Sequence, residues 1–147
     1  MRKLNKTSGI SLIEVICSIS IMCILGAYIL TLQLNNIRLS NQNKDRIRYL
    51  FALEAIKEEI VNNSTYSDVM NLINNNKKYI NKEQLKLDMI KSKNITQIFN
   101  ANTNENDTYI VLNVIPGEVL KINLELHLNL KSKEEIINCT FYKGNYL

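Results

Sequence analysis

From Val15 to Leu32 the chain carries no charge, and with Ile10 to Ile13 it gives about 23 mostly apolar positions interrupted by one carboxylate, Glu14. A helix needs roughly 20 such residues to cross a hydrocarbon core ~30 Å thick. The run therefore demands lipid, or other apolar helices, as its surroundings. An acidic side chain in mid-membrane costs roughly 2.5–3.5 kcal/mol on the insertion scale, and less near the interface. Glu14, at the head of the run, is thus a candidate functional residue whose partner has to be found.

Charge sets the expected topology. The formal net charge is +4, and Arg2, Lys3 and Lys6 supply +3 of it, ahead of the apolar run. Basic residues before a span favour a cytoplasmic amino terminus, which puts everything after Leu34 outside the cytoplasm. Arg38, Lys44, Arg46 and Arg48 just past the span are a weaker opposing signal. A secretory signal peptide fits poorly. Leu25-Gly26-Ala27 places a large residue three before the candidate cut, Glu14 would sit inside the apolar region, and the run exceeds the roughly 7–15 residues usual there. Neither Cys17 nor Cys23 follows the small-residue pattern of a lipidation site.

The segment Gly9-Ile10-Ser11-Leu12-Ile13-Glu14, behind a short basic leader and ahead of a membrane-length helix, resembles the amino terminus of type IV prepilins and pseudopilins. The resemblance covers about Lys3 to Leu34. It implies cleavage between Gly9 and Ile10 by a membrane-embedded prepilin peptidase, N-methylation of the new Ile10 amine, and pairing of Glu14 with an amino terminus in an assembled filament. It also implies the partners: other pilin or pseudopilin subunits, met through the amino-terminal helix, and an inner-membrane assembly platform. Ile10 stands where Phe is commonest in the family, no proline interrupts the membrane helix, and the carboxy-terminal cysteine pair of many pilins is missing. The last two departures favour a minor pilin or pseudopilin of a type IV pilus, a type II secretion-like machine or a competence (DNA-uptake) pseudopilus. The expected location is the cytoplasmic membrane, then a surface filament. The contrasting class is a single-pass anchored binding module or enzyme unrelated to pili.

The expected organisation is a leader over 1–9, a membrane and filament-core helix over 10–34, and an extracytoplasmic α+β head over 35–147, with the helix continuing through 35–61 and antiparallel strands over 108–142. Tyr49, Leu50, Leu53, Ile56 and Ile60 recur at three- and four-residue spacing, as on an amphipathic helix. Thr65-Tyr66-Ser67-Asp68 predicts a capping box opening a helix that runs to about Asn74. Leu85, Leu87 and Met89 alternate like a strand, while Leu85, Met89 and Ile90 also suit a helix face, and the sequence leaves both open. Leu120, Ile122, Leu124, Leu126, Leu128 and Leu130 alternate with polar residues, which predicts a half-buried antiparallel strand. Thr108 to Ile115 precedes it across a tight turn at Pro116-Gly117, and Ile136 to Tyr142 follows the charged turn Lys131 to Glu135. The apolar faces of helix and sheet bury each other in a pilin-like lollipop.

Chemistry finds little support in the residue pattern. His127, the chain's one histidine, falls on the polar face of its strand beside Glu125 and Asn129 and is expected to be solvated. The scattered glycines build no phosphate-cradling loop. No catalytic residue, metal set or cofactor site is proposed, and the chain reads as a structural subunit rather than an enzyme. After residue 35 there are 15 Lys and Arg against 13 Asp and Glu, which cannot supply the phosphate neutralisation of a dedicated nucleic-acid binder. Cys139 is the one thiol outside the apolar run and is expected to be a buried, inert side chain.

Overall fold

The computed structural model describes residues 11–130 and 133–144. The chain divides into two compact units, Met1–Asn41 and Gln42–Leu147, with the boundary inside the first helix, α1 (Leu12–Glu58). In the first unit the described residues are helical and exposed almost throughout. The most apolar stretch has a mean hydropathy of 2.4 and none of it is buried, so by length and composition the helix can cross a membrane. Its hydroxyls need no outside partner: Ser18, Ser20 and Thr31 donate to the carbonyls of Glu14, Ile16 and Ala27 at 2.7, 2.8 and 2.9 Å. Such bonds to the preceding turn hide polar groups that lipid would penalise.

The second unit is α+β. The remainder of α1 buries Tyr49, Leu53 and Ile56 of the expected stripe, with Ala52 buried beside them and Leu50 only partly covered, and ends in a π-helical turn over Glu59–Asn63 that buries Ile60. The end is tied off from two sides, by Ser64 Oγ on the carbonyl of Glu59 (3.0 Å) and by Lys143 Nζ on that of Val61 (2.9 Å). A cation there also meets the negative end of the helix dipole. Thr65 then opens α2 (Tyr66–Asn74) with the expected capping box, its hydroxyl accepting from the Asp68 amide while Asp68 accepts from the Thr65 amide. The Thr65 hydroxyl, donating to Asp68 Oδ2 at 2.7 Å, and then the Thr65 amide hold the Asp68 carboxyl below its ordinary range. Asn76, at a positive φ of 53°, closes α2 in the left-handed conformation that asparagine tolerates.

The ambiguous middle resolves into short pieces. β1 (Tyr79–Asn81) and a single 3-10 turn lead to α3 (Leu87–Ser92) and α4 (Ile95–Ile98). Leu85 and Ile90 are buried while Leu87 and Met89 stay largely exposed, so the helix reading holds for 87–92.

β2 (Tyr109–Ile115), β3 (Val119–Leu130) and β4 (Lys133–Gly144) complete an antiparallel sheet in the order β1-β2-β3-β4. Leu120, Ile122, Leu124, Leu126 and Leu128 are fully buried, each worth about 1.5–3 kcal/mol of burial before entropy. They share one core with the α1 stripe, Val69, Leu72, Ile110 and Leu112.

Three details depart from the sequence reading. Ile115 pairs with Lys121 rather than closing directly on Pro116-Gly117, which leaves residues 116–120 in the connection. The connection is wider than a tight turn, and Gly117 does not use a positive φ. β4 begins at Lys133, so Glu134 and Glu135 belong to the strand, not to a charged turn. Cys139 is a half-buried free thiol at the rim of the core rather than a fully buried one.

Candidate functional site at the start of the long helix

The cleavage and methylation positions, Gly9 and Ile10, lie outside the described residues. Ser11 to Glu14 are described, and they form a helix start of defined geometry. Ser11 stands just before α1. Its hydroxyl accepts from the Ile13 amide at 3.3 Å, and its own amide donates to Glu14 Oε2 at 2.9 Å. The Ser11 carbonyl receives the amides of Glu14 (2.9 Å) and Val15 (3.3 Å), the first bonds of the helix. Ser11 is thus an N-cap that accepts at N2, with the return arm of a capping box: the carboxylate three residues on satisfies the Ser11 amide.

Glu14 is therefore placed by local chemistry before any partner arrives. A negative charge is favoured in the first turn by the helix dipole, and a carboxylate with two oxygens keeps capacity for a second donor. Sequence reasoning treated Glu14 as lacking a partner in the apolar run and missed this role. The signal was present: Ser at 11 and Glu at 14, directly before an apolar stretch, is the S-x-x-E pattern of a helix amino terminus.

His127 is on the outer face of the sheet, as its position in the alternation requires, but it is covered rather than solvated. Its ring stacks on Tyr109 with centroids 4.5 Å apart and an interplanar angle of 7°. Tyr79 meets Tyr109 edge-on at 6.4 Å. Glu125 Oε2 and Glu134 Oε1 stand 3.8 Å from the two ring nitrogens, and Nδ1 is buried without a hydrogen bond. Burial pushes the Tyr109 phenol up. The cross-strand register places Tyr109 directly opposite His127, a long-range pairing that residue spacing alone does not reveal. Stacking of this kind is a cross-strand contact that fixes register. Among the described residues no group of three His, Cys, Asp or Glu converges as a metal site would require.

An open cleft of about 620 Å³ lies between α1, the 3-10 turn and the loop before β2. Of its charged lining, Lys82 meets Asp107 at 3.4 Å, Arg48 meets Asp45 outside the cleft at 3.5 Å and lies over the Tyr49 ring, and Glu83 and Lys86 complete the wall. No family model, curated protein or solved structure matches the chain.

Proposed function

We propose that this chain is a structural subunit, a minor pilin or pseudopilin, that enters a type IV pilus or a secretion or competence pseudopilus through its amino-terminal helix. The observation that carries this reading is one of placement. Ser11 to Glu14 open a helix whose apolar residues as far as Leu39 are exposed, and in the sequence Gly9-Ile10 comes directly before them. A lone anchor gains from Glu14 only the local bond to the Ser11 amide, whereas a subunit that must leave lipid for a bundle of like helices also has a use for its charge. On this reading a prepilin peptidase cuts after Gly9, and the Ile10 amine becomes a cation. The Glu14 carboxylate, already seated on the Ser11 amide, offers its second oxygen to the amine of a neighbouring subunit when the axial register is right. Charge neutralisation is then coupled to assembly on the inner-membrane platform.

Intact mass of the membrane-extracted chain is the test. The expected mature species begins at a methylated Ile10, and Gly9→Lys retains the leader and stays in the membrane. A chain still starting at Met1 in cells with an active peptidase would falsify the assignment and leave the anchored binding module or enzyme, for which the cleft beside Arg48 and Lys82 is the place to look.

A further inference from the structure

β4 is the edge of the sheet: β3 lies on one side, and among the described residues no strand lies on the other. Natural edges are usually blunted by a proline, a bulge, shortness or inward charge. Lys133–Gly144 has no proline, its inward charges, Glu135 and Lys143, stand only near its two ends, and its twelve-residue ladder with β3 runs unbroken from Leu130↔Lys133 to Val119↔Gly144. Ile136 and Tyr142 stand on its outer face with 53% and 63% of their surface exposed. Ile137 and Cys139 on the inner face are only partly covered.

The order of side chains along this edge matches its own reverse. We propose that β4 pairs antiparallel with the β4 of a second copy of this chain, about a twofold centred on Cys139, joining the two sheets into one. In that register Ile137 faces the second copy's Phe141, Ile136 faces Tyr142, Asn138 faces Thr140, and Glu135 faces Lys143. The outer-face pairs, Ile136 with Tyr142 and Asn138 with Thr140, are exposed and free to meet, while on the inner face Phe141 is buried and Glu135 and Lys143 keep their bonds to Arg46 and the Val61 carbonyl. Opposite charges and aromatic–aliphatic pairs are the favourable cross-strand combinations, and like charges the unfavourable ones. Centring the twofold on Asn138 would set Glu135 against Phe141, and centring it on Thr140 would set Ile137 against Lys143. The side chains therefore select one register, as a strand with two distinct faces does.

The same geometry fixes how the copies approach. Arg46 of α1 meets Glu135 near the start of β4, at 2.7 Å, and Lys143 near its end meets the Val61 carbonyl, so α1 and β4 run side by side in one direction. A twofold that reverses β4 also reverses this part of α1. In the pair the two second units therefore hold this part of α1 in opposed directions. The pairing goes beyond the filament reading and does not depend on it.

The test uses the full chain in detergent micelles, where orientation is unconstrained, with Cys17→Ser and Cys23→Ser so that Cys139 is the remaining thiol. Diamide takes two protons and two electrons from a facing pair of thiols, leaving an S–S bond and the reduced hydrazine. The expected result is a disulfide dimer formed at least about tenfold faster than in a control with Cys139→Ser and Asn138→Cys, whose thiols are offset by two positions along the strands. Ile136→Lys, at an exposed site, should keep the thermal transition and slow the cross-link about tenfold, because two cross-strand pairs are lost per dimer. Adding Tyr142→Glu should restore it, since the new cation and carboxylate then face each other between copies. Equal cross-linking at positions 138 and 139, a monomer by sedimentation, or a cross-link indifferent to Ile136→Lys would each overturn the pairing, the last by placing the association elsewhere.

Discussion

Both units are rich in aliphatic side chains and put them to opposite use. In the first, Leu25, Ile29 and Leu32 keep 53%, 52% and 45% of their surface exposed. In the second, Leu124, Leu126 and Leu128 are wholly buried. The difference is one of pattern. Apolar residues all around a helix leave no polar face to turn outward, so the segment must find its apolar surroundings outside the chain. Apolar residues on every second position of a strand present one face only, which a helix stripe of the same chain can cover. Amount of hydrophobic sequence says little about who the partner is; its period says whether the partner is internal.

The sharpest way to break this contrast is to charge the internal face. Leu124→Asp leaves an unpaired carboxylate in the core and should cost about 3–5 kcal/mol, enough to unfold a marginally stable domain. Thermal or urea unfolding of the full chain in detergent reads this directly. An unchanged transition would mean that Leu124 does not face the core. Next in size is a matched pair of truncations. Leu126→Ala should cost about 2–5 kcal/mol, whereas Leu25→Ala should leave unfolding of the second unit unchanged, because its side chain packs on nothing within the chain. Equal effects would erase the distinction between the units.

Much of the second unit was legible because its signals are local. The β3 alternation repeats often enough to leave no ambiguity, and the Thr65 capping box needs only four residues. What escaped depends on partners far along the chain. β1 offers a single buried apolar residue, Ile80, and is a strand because β2 and a bridge from Asn100 hold it. Glu135 looks like a turn residue until Arg46, distant in sequence, accounts for it with two hydrogen bonds of 2.7 and 3.0 Å. The same bonds push the Arg46 guanidinium further up. At the candidate site the reverse happened. The local capping signal at Ser11 and Glu14 was in plain view, but the rarity of a carboxylate beside an apolar run drew attention to distant partners first.

A smaller effect tests the cap in the folded unit. Thr65→Ala should destabilise by about 1 kcal/mol, the usual worth of an N-cap hydroxyl. The pH dependence follows from the direction of the Asp68 shift. Its folded pKa is depressed, so its contribution is present above the unfolded carboxylate pKa of about 3.9 and is lost as pH falls through the lower folded value. The stability gap between wild type and Asp68→Asn should therefore close as pH falls from about 4 downward. A gap that widens with acid would show that Asp68 is not held by Thr65.

The smallest effect on stability, and the most informative for assembly, is expected at Glu14. Glu14→Gln keeps an acceptor for the Ser11 amide and removes the charge, while Glu14→Ala removes both. If an ion pair with a neighbouring amine drives assembly, both variants are processed and inserted, and both incorporate poorly. Glu14→Asp falls between them and wild type because its stem is shorter. If the cap alone matters, the glutamine variant incorporates like wild type and only alanine fails. The readout is the ratio of filament-associated to membrane-retained protein, with cleavage checked by mass.

The widened turn at Glu59–Asn63 makes the count of residues a quantity in its own right. Each residue of a regular helix advances the chain by about 100° around the axis, and a π turn absorbs one extra residue without that advance. Deleting Asn62 should therefore tighten the turn to ordinary pitch and leave the chain's exit near its present direction. Adding a residue to the widened turn would instead swing the exit by roughly 100°, turning Thr65 away from the place where α2 must begin. At this point the fold should tolerate the loss of one residue far better than the gain of one.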